Sequence, residues 1–105
     1  MKMIRAMVRP EAADIITEGL AEGGFFSLTK MHVFGRGKQK GIKIGDVHYD
    51  ELPKVMLMLV VKEDAVDEVV DLIKVNAYTG NFGDGKIFVT PIDATYTVRT
   101  GETGI

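Results

Sequence analysis

The sequence contains no cysteine, which excludes disulfide bonds and thiolate metal sites. Its two histidines, His32 and His48, lack the spacing of metal ligands, and no pairing of a nucleophile with a base stands out. No apolar run is long enough to span a bilayer, so we expect no membrane insertion. The opening residues are too few and too charged for a signal peptide. The absence of cysteine is consistent with a reducing, cytoplasmic interior. Without a nucleophile-base pair, we expect no enzyme activity.

The 105 residues fit a single domain, predicted to span 1–105. A domain of this size has little room for a deep private pocket, so a site between identical subunits is favoured. The formal net charge of −2 argues against general nucleic-acid binding, which depends on neutralising phosphates.

Hydrophobic periodicity divides the chain into two similar halves. Each half reads strand, helix, strand: 3–9, 10–24 and 25–34, then 54–61, 63–75 and 86–92. The pattern predicts an α+β, ferredoxin-like βαββαβ sandwich with a long loop between strands 2 and 3. A short extra strand is expected at 95–99, followed by a flexible tail. Both helices would cover one sheet face, so the other face requires an oligomer or a ligand to cover it.

A glycine-rich segment from Gly80 to Lys86 has the spacing GxxxxGK, which in P-loops holds phosphates with backbone N–H groups and a lysine. It is not a true P-loop. Ile87 replaces the residue that would hold magnesium, and a strand follows where a helix is needed. Successive glycines still allow backbone amides to converge on an anion. The alternative is a glycine turn with a solvated lysine.

A second glycine-rich segment, GRGKQKG from Gly35 to Gly41, carries three basic residues that suit a carboxylate or a polyphosphate. The alternative is a solvated flexible loop. Lys54 opens a buried strand directly after this loop, where a lysine either pairs with a carboxylate or extends its ammonium group to solvent. Arg99 is an arginine of the kind that binds phosphate in a bidentate way, although near a terminus it is more often simply exposed.

Four segments together resemble the PII signal-transduction family: GRGKQKG at 35–41, LPKV at 52–55, TGNFGDGKIFV at 79–89 and VRTGE at 98–102. The resemblance covers nearly the whole chain. It implies a ferredoxin-like trimer in which ATP or ADP binds in clefts between subunits. It also implies that 2-oxoglutarate binds beside ATP through a magnesium ion. The loop at about 36–52, the T-loop of this family, would report the bound state to a partner protein.

The resemblance assigns roles by position to residues in three segments: the T-loop, the phosphate-binding loop at about 79–86 and the C-terminal segment at about 93–105. The implied nucleotide-binding residues are Thr29, Gly35, Gly37, Lys38, Gly83, Asp84, Gly85, Lys86 and Arg99. The implied 2-oxoglutarate-binding residues are Gln39, Lys40, Gly41 and Lys54, and Gln39 would complete the magnesium site. A dianion beside a triphosphate needs a metal and a lysine to offset repulsion.

Three positions depart from the common family pattern. The loop is shorter, and Tyr49 is shifted from the place of the uridylylated tyrosine, so this modification is not expected. Thr97 and Met58 replace a family arginine and glutamate, which would weaken nucleotide affinity or change the preference between ATP and ADP.

The phrases VFGRGKQKG, YDELPK and NAYTGNFGDGKIF most resemble the PII branch of archaeal nitrogen-fixation operons. That branch implies a target, dinitrogenase, and a second PII-like subunit as an alternative to a homotrimer. Three alternatives remain open: a PII regulator of an ammonium transporter, a nucleic-acid-binding module that stacks bases on Phe88 and Tyr96, and a small ATP-hydrolysing enzyme.

Overall fold

A computed structural model describes residues 1–36, 42–44, 47–49 and 51–105, with side chains in the first and last of these ranges. The strands are β1 (Lys2–Val8), β2 (Thr29–Gly35), β3 (Ile42–Ile44), β4 (Val47–Tyr49), β5 (Leu52–Val61) and β6 (Gly85–Pro91). The helices are α1 (Ala13–Glu22) and α2 (Val66–Ala77), and a single 3₁₀ turn precedes each of them.

Four strands form an antiparallel sheet in the order β2-β5-β1-β6. At its centre Arg5 of β1 lies between Met58 of β5 and Phe88 of β6. The two central strands are therefore the first strand of each half of the chain, and the predicted ferredoxin-like fold is confirmed.

The core lies between this sheet and the two helices. Ile4, Ala6 and Val8 alternate along β1 and are almost completely buried, as the period-two pattern predicts. They contact a cluster that includes Ile16 of α1 and Ile73 of α2. Each isoleucine or valine side chain of this cluster contributes about 1.5–3 kcal/mol through burial. This packing holds both helices against the same face of the sheet.

The opposite sheet face is not covered by any element in the described part of the chain. Because side chains alternate along strands, five of the six methionines fall on this face, all except Met1. Met31 is 45% exposed and Phe88 is 43% exposed, whereas Met56, between β1 and β2, is buried. The predicted uncovered face is present, and it is largely apolar, with Arg5 at its centre.

The structure differs from the sequence prediction in two connecting segments. The loop predicted at 36–52 contains a short antiparallel hairpin, in which Lys43 of β3 lies opposite His48 of β4. The extra strand expected at 95–99 is reduced to a single bridge between Tyr96 and Thr103. The C-terminal residues around that bridge turn back on themselves, with the Thr97 amide donating to the Glu102 carbonyl at 2.8 Å.

Among the described helices, none is long and apolar enough to cross a membrane.

Candidate functional site

The loop between α2 and β6 contains backbone conformations that only glycine adopts easily. Gly83 and Gly85 have φ angles of +94° and +130°. A Cβ atom on Gly85 would lie 2.0 Å from the carbonyl oxygen of Met7 in the neighbouring strand. The glycines of the GDGK segment are therefore required by the turn itself and by its close contact with β1.

Asp84 organises this loop from within. Its carboxylate accepts hydrogen bonds from the backbone amides of Thr79 and Gly80 at 2.7 and 2.9 Å, and from the Thr79 hydroxyl. The side chain is only 20% exposed. The Thr79 hydroxyl and amide, with smaller contributions from Gly80 and Arg9, hold the pKa of Asp84 far below its usual value, against the opposing effect of desolvation. Asp84 is therefore a structural anion that closes the loop on itself.

Two cations hold consecutive carbonyl groups of the same loop. Arg9 Nη2 donates to the Phe82 carbonyl oxygen at 2.6 Å, and Arg9 Nε donates to Asp84 Oδ1 at 3.2 Å. Lys54 Nζ donates to the Gly83 carbonyl oxygen, also at 2.6 Å. Burial, followed by the nearby Arg9 charge, lowers the pKa of Lys54, while Glu11 and Asp84 oppose the shift. The loop is thus attached to both β1 and β5.

Several residues assigned by the sequence analysis lie together at this end of the sheet. Gly83 and Asp84 contact the Lys54 and Arg9 side chains directly, and Gly85 begins β6. Gly35 is also close, because a Cβ atom there would lie 3.5 Å from Lys54 Cγ. The side chain assigned to 2-oxoglutarate, Lys54, therefore lies beside the loop assigned to nucleotide phosphates within one chain.

Other assigned residues lie elsewhere on the same chain. Thr29 is on β2 and Lys86 is on β6, at opposite edges of the sheet. Three strand spacings, about 14 Å, separate these two edges. Arg99 lies in the segment after Pro91, so it follows the end of β6 that is far from the loop. It makes no hydrogen bond to any described loop residue. A site that used all three residues would need more than one copy of the chain.

Five predicted site residues lie outside the described residues, namely Gly37, Lys38, Gln39, Lys40 and Gly41. Their assignments stay predictions. Within the described residues, no group of three or more His, Asp or Glu side chains forms a metal site.

The sequence analysis missed a role for Arg9 and for Thr79. Thr79 stands in the quoted TGNFGDGK motif, so its spacing from Asp84 was a usable signal. Arg9 is distant in sequence, because it lies 75 positions before Asp84. It approaches the loop because Val8 pairs with Gly85, and this register is not readable from the sequence.

The fold and this loop define a class of ferredoxin-like α+β protein with a glycine-rich turn beside a partly buried lysine. A sequence profile described as "Nitrogen regulatory protein P-II" matches residues 1–102. The chain belongs to the PII family of nitrogen regulatory proteins, as its motifs predict. Members of this family are regulatory signal-transduction proteins.

The chain matches several curated relatives from methanogenic archaea over the whole length of both chains. The chain is similar to "Nitrogen fixation nifHD2 region GlnB-like protein 1" of Methanosarcina barkeri, with 61% identity over 105 residues. It is 63% identical over 105 residues to "Nitrogen fixation nifHD region glnB-like protein 1" of Methanococcus maripaludis. A third relative, of Methanothermobacter marburgensis, is 50% identical over the same length. The predicted resemblance to the nitrogen-fixation branch is confirmed.

Proposed function

We propose that this chain senses nitrogen status by binding ATP or ADP together with 2-oxoglutarate at subunit interfaces, and controls a target protein through its T-loop. The observation that carries the proposal is the 2.6 Å hydrogen bond from Lys54 Nζ to the Gly83 carbonyl oxygen. This bond links the residue assigned to 2-oxoglutarate with the loop assigned to nucleotide phosphates. A ligand that engaged Lys54 would therefore act directly on the nucleotide site.

The nucleotide would bind between subunits. The loop at 79–86 and Thr29 lie on different edges of one sheet, and Arg99 lies in a segment that leaves the sheet at its other end. Association through the uncovered methionine-rich face would bring an edge of one chain beside an edge of the next. We infer a homotrimer, or a hetero-oligomer with a second PII-like subunit, in which Arg99 of one chain reaches phosphates held by another.

Magnesium would be held mainly by oxygen atoms of the ligands. Mg²⁺ prefers hard oxygen donors, and the amide oxygen of Gln39, the phosphates and the 2-oxoglutarate carboxylate are of this kind. The remaining proposed contacts to 2-oxoglutarate are Lys40 and Gly41, with the Lys54 ammonium group offsetting the carboxylate charge. The metal would reduce the repulsion between two anionic ligands.

The proposed target is dinitrogenase, because the relatives carry names that refer to nitrogen-fixation gene regions. When 2-oxoglutarate is scarce the T-loop binds and inhibits the target, and the filled cleft releases it. The ligands must therefore bind better to the released conformation than to the target-bound one. The chain acts by binding and not by catalysis. Both effectors are metabolites of the cytoplasm, where the protein would act.

Isothermal titration of 2-oxoglutarate, with and without Mg-ATP, tests this proposal. We expect binding only when Mg-ATP is present. Repeating the titration with the companion PII-like subunit added covers the case of a shared site. Absence of 2-oxoglutarate binding in every combination would refute the sensor function. A pull-down against dinitrogenase and an ammonium transporter, each with and without 2-oxoglutarate, then tests the choice of target.

A further inference from the structure

We propose that Arg9 is a positioning residue for the nucleotide-binding loop: it fixes the peptide group between Phe82 and Gly83 so that the Gly83 amide faces the bound phosphate. The inference rests on the proposed function, because the phosphate belongs to the proposed nucleotide.

The contacts of Arg9 show what its guanidinium group does. Its Nη2 donates to the Phe82 carbonyl oxygen at 2.6 Å, and its Nε donates to Asp84 at 3.2 Å. Its remaining nitrogen, Nη1, lies 4.0 Å from Glu11 Oε1. The side chain is 27% exposed. Two of its three nitrogen atoms donate hydrogen bonds to the loop, so the guanidinium group is arranged chiefly to hold the loop.

The orientation of one peptide group follows from these contacts. In a trans peptide the carbonyl oxygen and the following N–H point in opposite directions, and the described residues contain no cis peptide. Because the Phe82 carbonyl points toward Arg9, the Gly83 N–H points away from Arg9. That amide donates no hydrogen bond to any residue described here. A preoriented amide of this kind, next to glycines with positive φ, is the unit of an anion-binding turn.

Asp84 makes the arrangement cooperative. One oxygen of its carboxylate accepts a hydrogen bond from Arg9 Nε, and the other accepts hydrogen bonds from the backbone amides of Thr79 and Gly80. Arg9 therefore holds the second half of the loop directly and the first half through Asp84. Without Arg9 the Phe82–Gly83 peptide group would be free to rotate, and a ligand would lose affinity by having to order it.

Three substitutions distinguish positioning of the loop from simple attraction between charges. Arg9→Gln removes the guanidinium group and its charge. Arg9→Lys keeps the charge, but a single ammonium group cannot donate to both the Phe82 carbonyl oxygen and Asp84 in the same way. Asp84→Asn removes a negative charge near the proposed polyanion. Electrostatic attraction alone predicts tighter ATP binding in Asp84→Asn, whereas positioning predicts weaker binding, because the asparagine amide cannot accept all the donors that now converge on the carboxylate.

The experiment is calorimetric titration of Mg-ATP, and separately of adenosine, into the full chain and these variants. We expect Arg9→Gln and Asp84→Asn each to weaken Mg-ATP binding by about tenfold or more, Arg9→Lys to restore little of the loss, and adenosine binding to stay unchanged. Lys74→Gln, an equal loss of charge at an exposed site on α2, is the matched control and should bind as the unmodified chain does.

Amide hydrogen exchange of the ligand-free protein tests the positioning independently of ligand. Arg9→Gln should speed exchange at Thr79 and Gly80, which Asp84 now protects, while the amides of β1 and β5 keep their protection. Unchanged exchange at these positions, or Mg-ATP affinities within about twofold of the unmodified chain, would overturn the inference alone. Tighter binding by Asp84→Asn would do the same. A parent chain that bound no nucleotide would overturn both the inference and the proposed function.

Discussion

Replacing Lys54 with methionine should nearly abolish the response to 2-oxoglutarate while leaving much of the nucleotide binding. Methionine keeps an apolar stem of similar length on β5 but removes the ammonium group, whose Nζ now lies 2.6 Å from the Gly83 carbonyl oxygen. A hydrogen bond to a charged group contributes about 1.5–3 kcal/mol, so 2-oxoglutarate affinity in the presence of Mg-ATP should fall by about 10- to 150-fold.

The loss of Mg-ATP affinity should be smaller. In Lys54→Met the phosphate-binding loop loses the donor to the Gly83 carbonyl, but Arg9 still holds Phe82 and Asp84. We therefore expect Mg-ATP binding to weaken by less than about tenfold.

Two calorimetric titrations check this prediction: Mg-ATP alone, and 2-oxoglutarate at saturating Mg-ATP. Lys74→Met on α2 serves as the control for removal of an exposed lysine and should change neither affinity. Unchanged 2-oxoglutarate affinity in Lys54→Met would refute the assignment of Lys54. An equal loss for both ligands would instead mean that Lys54 acts only by holding the loop.

Three further predictions concern stability, each measured by urea denaturation. Gly85→Ala should lower the free energy of unfolding by more than about 3 kcal/mol or prevent folding, because its Cβ would meet the Met7 carbonyl. Gly24→Ala, which has a positive φ but open space around it, should lower it by only about 1–2 kcal/mol. Similar losses for the two variants would contradict the steric argument. Ile4→Ala in the core should lose about 2–5 kcal/mol, and a loss below about 1 kcal/mol would argue against this packing. Because the folded-state pKa of Asp84 is depressed, its stabilisation is present above the unfolded-state pKa, about 3.9, and is lost as pH falls below that value. The difference in stability between the parent chain and Asp84→Asn should therefore shrink between pH 6 and pH 3, and a difference that stayed constant would contradict the assigned role of the carboxylate.

The uncovered sheet face links the fold to the proposed site. Its methionines are flexible, polarisable side chains that adapt to irregular partners. A second copy covering this face would bury Met31 and Phe88, both now substantially exposed. The same association would supply the residues that one chain places on separate edges. Oligomerisation would thus complete the core and the ligand site together.

The alternative of a base-stacking module fits the structure less well. Phe88 does lie on the open sheet face, but Tyr96 belongs to the bridge with Thr103 and not to a strand of the four-stranded sheet. The two aromatic rings therefore do not form a paired platform on neighbouring strands, which is how such modules stack bases.

Local pattern was sufficient to predict much of this protein. The alternation in β1 identified its buried face, Pro91 marked the end of β6, and glycines flanking Asp84 identified the turn, because each of these features depends on residues close in sequence. The sequence pattern predicts the start of β2 less accurately, because it places the start at Phe25 and the strand begins at Thr29.

The sequence by itself therefore determined the family, the order of helices and strands, and two charged residues of the glycine loop site, Lys54 and Asp84. Only the tertiary structure decided which of these charges meet. Arg9 reaches Asp84 because β1 pairs with β6, and Lys54 reaches Gly83 because β5 lies on the other side of β1. Strand order and register arise from packing of the whole sheet against two helices, and no short segment of sequence contains that information.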